Sequence, residues 1–266
     1  VGGSGTQVNM SSWQNYDHDA MTFRFSPPVT ADAETYQDLN PDYFGVNGGG
    51  VPYTNNGGNP GTPTNTWDYP GLGSFAYGQY DPVSAGESYK QGQSGTMVMC
   101  GWLFFNENGS GQTSVLGNDI PHGGVRDYRG YRMDVTTSNK IRVLRGDGGG
   151  TSSTNRRTFQ SSGTVELSAW NFVVWQGKDN STTIGTTSNY MYIWNIQNGW
   201  QAGASFLSGT GGSLDYQSED PWTVSPMAAG AREWMGIYGG WYVFNTTQPS
   251  SNMIDLKDAT RSYYGV

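Results

Sequence analysis

Few side chains in this sequence carry the chemistry of catalysis. Only two histidines occur, His18 and His122. The second follows Pro121 and precedes Gly123-Gly124, a turn context that aims no imidazole from a strand. The densest acidic cluster is Asp215-Tyr216-Gln217-Ser218-Glu219-Asp220, in a Ser/Gly-rich stretch ended by Pro221. Its acids do not sit along an apolar strand, so a solvated loop accounts for them better than a catalytic cleft. Cys100 is the one cysteine and lies inside an apolar run. That excludes an intrachain disulfide and a zinc-thiolate cluster, and leaves a small apolar core residue as its expected role. Arg145-Gly146-Asp147 spells an integrin-type tripeptide, but three glycines follow it and an ordinary turn is the expected reading. The remaining lead is aromatic. Trp67, Tyr69, Tyr128, Trp200 and Trp222 sit amid Gly, Pro, Asp and Gln rather than in alternating strands, and so read as loop residues. Exposed rings stack on sugar faces or anchor protein contacts. The competing fate is that long loops fold back and bury their own rings. These five are the candidate ligand-binding residues.

The elements that must position them are strands. Residues 96–105 are uncharged and apolar on both parities: Met97, Met99, Leu103 and Phe105 on one face, Val98, Cys100, Trp102 and Phe104 on the other. Ten residues are too few for a membrane span, and Gly101 disfavours a helix. A central strand covered on both faces fits the pattern. Residues 21–25 and 130–135 alternate cleanly, with Arg132 and Asp134 opposite Tyr131, Met133 and Val135. A hairpin turn at 137–140 leads into 141–144. Further strands are expected at 114–117, 164–167 with 170–175, 189–196, 234–238 and 241–244, and a short helix over 252–264. Residues 1–20 read as an N-terminal arm, and 32–43 as room for a helical turn. Residues 45–73, rich in Gly, Asn and Pro, read as a long loop excursion within one domain spanning 21–266.

Composition supports a single all-β domain. Among 266 residues there are 40 glycines and 12 prolines, a turn-dense usage, and 14% are aromatic, enough for a core without staples. Net charge is −8 with only 14% charged residues. An acidic balance repels phosphate backbones, so nucleic acid is excluded as an expected partner. No segment is apolar over enough length to insert in a bilayer as a helix. No leader peptide is legible, although the chain starts at Val1 rather than Met.

In order and spacing, these segments resemble the concanavalin A-like lectin/glucanase superfamily, laminin-G-like jelly rolls in particular. The resemblance rests on the apolar strand 95–103, the hairpin 130–135 with 140–143, the pair 170–175 and 190–195 with Asn198-Gly199, and the closing strands and helix from Met235 to Tyr264. It covers roughly two-thirds of the chain on a coarse count. It implies an antiparallel jelly-roll β-sandwich. It also implies where chemistry would lie. Glucanases of this fold carry a Glu-x-Asp-x-x-Glu run, one acid as nucleophile and one as proton donor; this chain has none. Lyases of the fold use Arg, Gln or His, and Tyr on sheet strands, which the two histidines do not match. Calcium-binding members use Asp, Asn and carbonyl oxygens on rim loops. Asn118-Asp119, Asp127 and Asp147 could take that part, with Asp119 and Asp127 the metal candidates. No other cofactor is expected.

The fold alone does not decide function. The first expectation is a non-enzymatic structural and adhesion module on a virion surface, as a capsid decoration, tail or fibre protein of a phage. Its partners would be other virion proteins, copies of itself and a host-surface glycan. Low charge, few lysines and abundant Gly, Asn, Thr and Tyr suggest it. The second is a secreted lectin-like carbohydrate-binding domain, and the third a polysaccharide hydrolase or lyase. A virion-surface or extracellular location goes with the first two.

Overall fold

The computed structural model describes residues 21–25, 45–47, 53–54, 66–69, 77–80, 96–105, 113–117, 129–147, 156–178, 190–209, 222–224, 236–244, 247–261 and 264–266. In chain order the strands are β1 (Met21–Phe25), β2 (Gly45–Asn47), β3 (Tyr53–Thr54), β4 (Thr66–Tyr69), β5 (Tyr77–Tyr80), β6 (Thr96–Phe105), β7 (Thr113–Gly117) and β8 (Arg129–Val135). There follow β9 (Ile141–Asp147), β10 (Arg156–Ser161), β11 (Trp170–Lys178), β12 (Tyr190–Asn195), β13 (Gly199–Ala202), β14 (Ala204–Ser208), β15 (Trp222–Val224) and β16 (Gly236–Phe244). The one helix among the described residues, α1 (Ser250–Arg261), comes last. The strands form two antiparallel sheets. One runs β13-β12-β11-β6-β16-β4-β3, with β1 also paired to β16; the other runs β14-β10-β9-β8-β7-β15-β5-β2.

The molecule is therefore an antiparallel β-sandwich, as expected, and β6 is its central strand. It lies between β11 and β16, and every residue described on it from Met97 to Phe105 is buried except Phe104, which is partly so. Its two apolar parities bury against different partners. On the inner side, facing the second sheet, lie Met97, Met99, Leu103 and Phe105 with Trp175 of β11. The Trp175 ring stands 5.3 Å from Tyr131 and 6.4 Å from Phe159 of the opposing sheet. Trp175 also lies across Gly177, where a Cβ would come within 2.0 Å of the indole. On the outer side, Val98, Cys100 and Trp102 join Phe172, Val174, Tyr190, Trp194, Tyr242 and Phe244 beneath Met253 and Leu256 of α1 and Tyr264. The helix is a third layer over the outer face of the first sheet.

Polar anchors fix the remaining backbone. Asn171 accepts the Glu166 N–H at 2.8 Å and donates to the carbonyls of Glu166 and Ala169, both at 2.9 Å. Gln201 brackets Thr164, accepting its N–H at 3.2 Å and donating to its carbonyl at 3.0 Å. Residues 164–167, expected as a strand, are thus held by side-chain amides, by the Val165 N–H donating to the Asn139 carbonyl at 2.8 Å and by an isolated bridge of Leu167 to Phe105. On the second sheet, Asp134 is fully buried, accepts from Arg132 Nε at 3.0 Å and pairs with Arg142. Burial of this polar face was not readable from alternation, which shows only that it differs from the apolar face.

Other expectations are corrected. Arg145-Gly146-Asp147 is the end of β9 rather than a turn, and Arg145 is buried, its guanidinium carbon 5.9 Å from the Phe159 ring centre. The two closing strands are one, β16, with an irregular register between Tyr238 and Trp241 where Gly239-Gly240 intervenes. The excursion at 45–73 contains β2, β3 and β4, strands of two to four residues held by pairing rather than by any apolar rhythm. The N-terminal arm and the helical turn at 32–43 lie outside the described residues.

Candidate functional site

Four of the five candidate residues fall on three different strands. Trp67 and Tyr69 lie on β4, Trp200 on β13 and Trp222 at the start of β15, so four of the five are on strands rather than loops. Those strands are too short for alternation to show. In the first sheet, β12, β11, β6 and β16 stand between the strand of Trp200 and that of Trp67 and Tyr69; β15 belongs to the second sheet. The side chains of Trp67, Tyr69 and Trp222 lie outside the described residues. So do Tyr128, the calcium candidates Asp119 and Asp127, His18, His122 and the acids at 215–220. Among the described residues no group of three His, Cys, Asp or Glu side chains could hold a metal ion.

Trp200 alone can be built into a site. It sits on an edge strand, placed there by a tight turn. Asn195 Oδ1 accepts the Asn198 N–H at 2.9 Å, and Gly199, at φ +62°, takes the left-handed conformation that closes the connection. The register then sets Trp200 directly across from Trp194 of β12, on the outer face. Its ring meets Phe172 at 6.3 Å and Tyr192 at 5.9 Å, both edge-to-face. Trp194 is buried and Trp200 partly exposed.

The last turns of α1 supply charge beside these rings. Lys257 is 4% exposed, with its ammonium 4.6 Å from the Trp194 ring centre and 5.5 Å from that of Trp200. A cation over an indole face is attracted by the ring quadrupole, more strongly where water is excluded. Its carboxylate partner is the neighbouring Asp258, whose side chain is 51% exposed. Arg261 places its guanidinium carbon 5.4 Å from the Trp194 ring centre, and its side chain is 41% exposed. Its Nε donates to the Val266 carbonyl at 2.8 Å, while Nη1 stands 3.9 Å from Asp258.

The arrangement links a partly exposed indole, through Lys257 and Trp194, to a carboxylate acceptor and a guanidinium donor on α1. That set stacks the apolar face of a ring and hydrogen-bonds its hydroxyls. Only Trp200 was foreseeable. Lys257, Asp258 and Arg261 lie on a helix whose contact with β12 and β13 is long-range, and no local pattern announces it.

No family model matches the chain, and no curated protein matches it. Solved structures do. A Trypanosoma rangeli sialidase in complex with sialic acid aligns at 13% identity and a TM-score of 0.54, over 90% of this chain and 32% of that one. The receptor-binding domain of botulinum neurotoxin C/D mosaic serotype aligns at 11% identity and a TM-score of 0.55, over 94% of this chain and 52% of that one. The chain thus spans about a third of that sialidase and about half of that receptor-binding domain. At these identities the likeness establishes the β-sandwich fold.

Proposed function

We propose that this chain is a lectin-like carbohydrate-binding module acting without catalysis. The observation that carries the reading is the Trp200 ring, partly exposed at a sheet edge, with Lys257 5.5 Å from its centre joining it to the exposed groups of Asp258 and Arg261. An aromatic plane flanked by one acceptor and one donor suits a pyranose, whose faces are apolar and whose rim is hydroxylated. A fold shared with a receptor-binding domain and with part of a sialidase supports recognition as the role. Most glycosidases flank the scissile bond with two carboxyl groups, sialidases using a tyrosine nucleophile instead. Asp258 is already ion-paired with Lys257, and Asp255, one turn earlier on the same helix, cannot stand across a bound sugar from it.

The laminin-G-like resemblance belongs with this reading, as does an extracellular location with a glycan as partner. The virion-surface role, with virion proteins as partners, has no structural observation behind it. The test is a glycan array probed with the purified chain, followed by titration of the best ligand against Trp200→Ala and Trp200→Phe. We expect binding weakened about tenfold or more by Ala and largely kept by Phe, with unchanged melting as the control for folding. A chain that binds no glycan, or a well-folded Trp200→Ala that binds as tightly, overturns the reading.

A further inference from the structure

We propose that the glycan received beside Trp200 is acidic, with its carboxylate held by Arg261; this rests on the carbohydrate-binding reading. The three charges at the site are not equivalent. Lys257 and Asp258 satisfy each other in a contact ion pair, and the Lys257 ammonium is buried against two indoles, so neither is left to meet an anion. Arg261 is different. Its Nε is tied to the Val266 carbonyl and its plane is parked over Trp194, while no hydrogen bond from either Nη group is formed among the described residues. The nearest carboxylate oxygen to Nη1, at 3.9 Å, is beyond hydrogen-bond reach.

The result is a guanidinium fork held at one end and open at the other, on a side chain 41% exposed. Paired N–H groups in that geometry match a carboxylate bidentately. Because the fork is already positioned, binding forfeits little side-chain freedom. Arg261 also closes the last turn of α1, where its charge offsets the partial negative end of the helix, equivalent to about half an elementary charge. The chain's overall charge of −8 repels anions at longer range. Attraction for an acidic sugar is therefore short-range and made by the Arg261 fork.

The test compares matched ligands by titration calorimetry: sialyllactose against lactose, and an oligogalacturonate against its methyl ester. The two pairs distinguish a nonulosonic acid from a hexuronate as the carboxylate source. We expect at least one acidic member to bind about tenfold tighter than its neutral partner. Arg261→Gln should weaken the acidic ligand more than its neutral partner and so remove that difference, and Arg261→Lys should restore part of it. Equal binding of acidic and neutral members, or an acid preference that survives Arg261→Gln, overturns the inference and leaves the carbohydrate reading standing. Failure of every sugar to bind overturns both. Melting of each variant shows that the fold is kept.

Discussion

At the scale of single residues, burial governs the chemistry of the two weakest acids in the outer core. Cys100 is fully buried, with Sγ 3.8 Å from the Tyr242 carbonyl, and desolvation pushes its thiol well above the ordinary range. Tyr190 is shifted the same way, first by burial and then by the nearness of Cys100 and Tyr192; its hydroxyl donates to the Gln248 carbonyl at 2.7 Å. In both, the folded state keeps a proton that the unfolded chain gives up. Stability contributed by the neutral thiol is therefore complete below the unfolded thiol pKa of about 8.5 and falls as pH rises above it, by up to ~1.4 kcal/mol per pH unit. Tyr190 adds to the slope from about pH 10. Urea melts between pH 7 and 10 should show the loss, and Cys100→Ala should flatten it below pH 10. An unchanged slope in that variant refutes the assignment. The inert role of Cys100 was legible because its neighbours in sequence are apolar on both parities. The buried Arg132–Asp134–Arg142 cluster was not, because what covers a polar sheet face is set by distant segments.

At the scale of elements, β6 and α1 are clamped together through Trp102. Its indole donates to Thr260 Oγ1 at 2.7 Å, and its ring stacks on Tyr264 at 4.8 Å and meets Trp194 edge-on at 5.8 Å. Trp102→Ala should cost about 3–5 kcal/mol, from lost burial and the cavity left behind. Chemical denaturation measures this, and a change near zero contradicts the layered packing. The elements that sequence reading located are those whose pattern is self-contained: the doubly apolar β6, the alternating β8, the aromatic β11 and β12, and the amphipathic α1. It passed over β10, β13 and β14. Arg156-Arg157-Thr158-Phe159-Gln160-Ser161 holds one large apolar residue, and β13 and β14 are edge strands without a fully buried residue, β14 mostly exposed. That blind spot fell on the site itself, since Trp200 is on β13 and its cationic neighbours reach it from the helix.

At the scale of the molecule, the first sheet shares an inner core with the second sheet and an outer core with the covering helix, so all three should melt as a unit. Far-ultraviolet circular dichroism and tryptophan fluorescence should give coincident unfolding curves. An earlier fluorescence transition would mean that α1 detaches first. The order of strands in the first sheet also has a consequence for biogenesis. The central strand meets its partner β16 only across a long stretch of chain: Cys100 and Tyr242, cross-strand neighbours, are 142 residues apart. At translation rates of about 5–20 residues per second, the most apolar strand emerges roughly 7–28 s before the strand that covers one of its edges is made. Nascent chains arrested before β16 should therefore engage holdase chaperones through residues 96–105. Replacing Val98 or Met99 with lysine should weaken that capture while also preventing the finished chain from folding, so the sequence that makes the sandwich stable also makes its synthesis depend on protection.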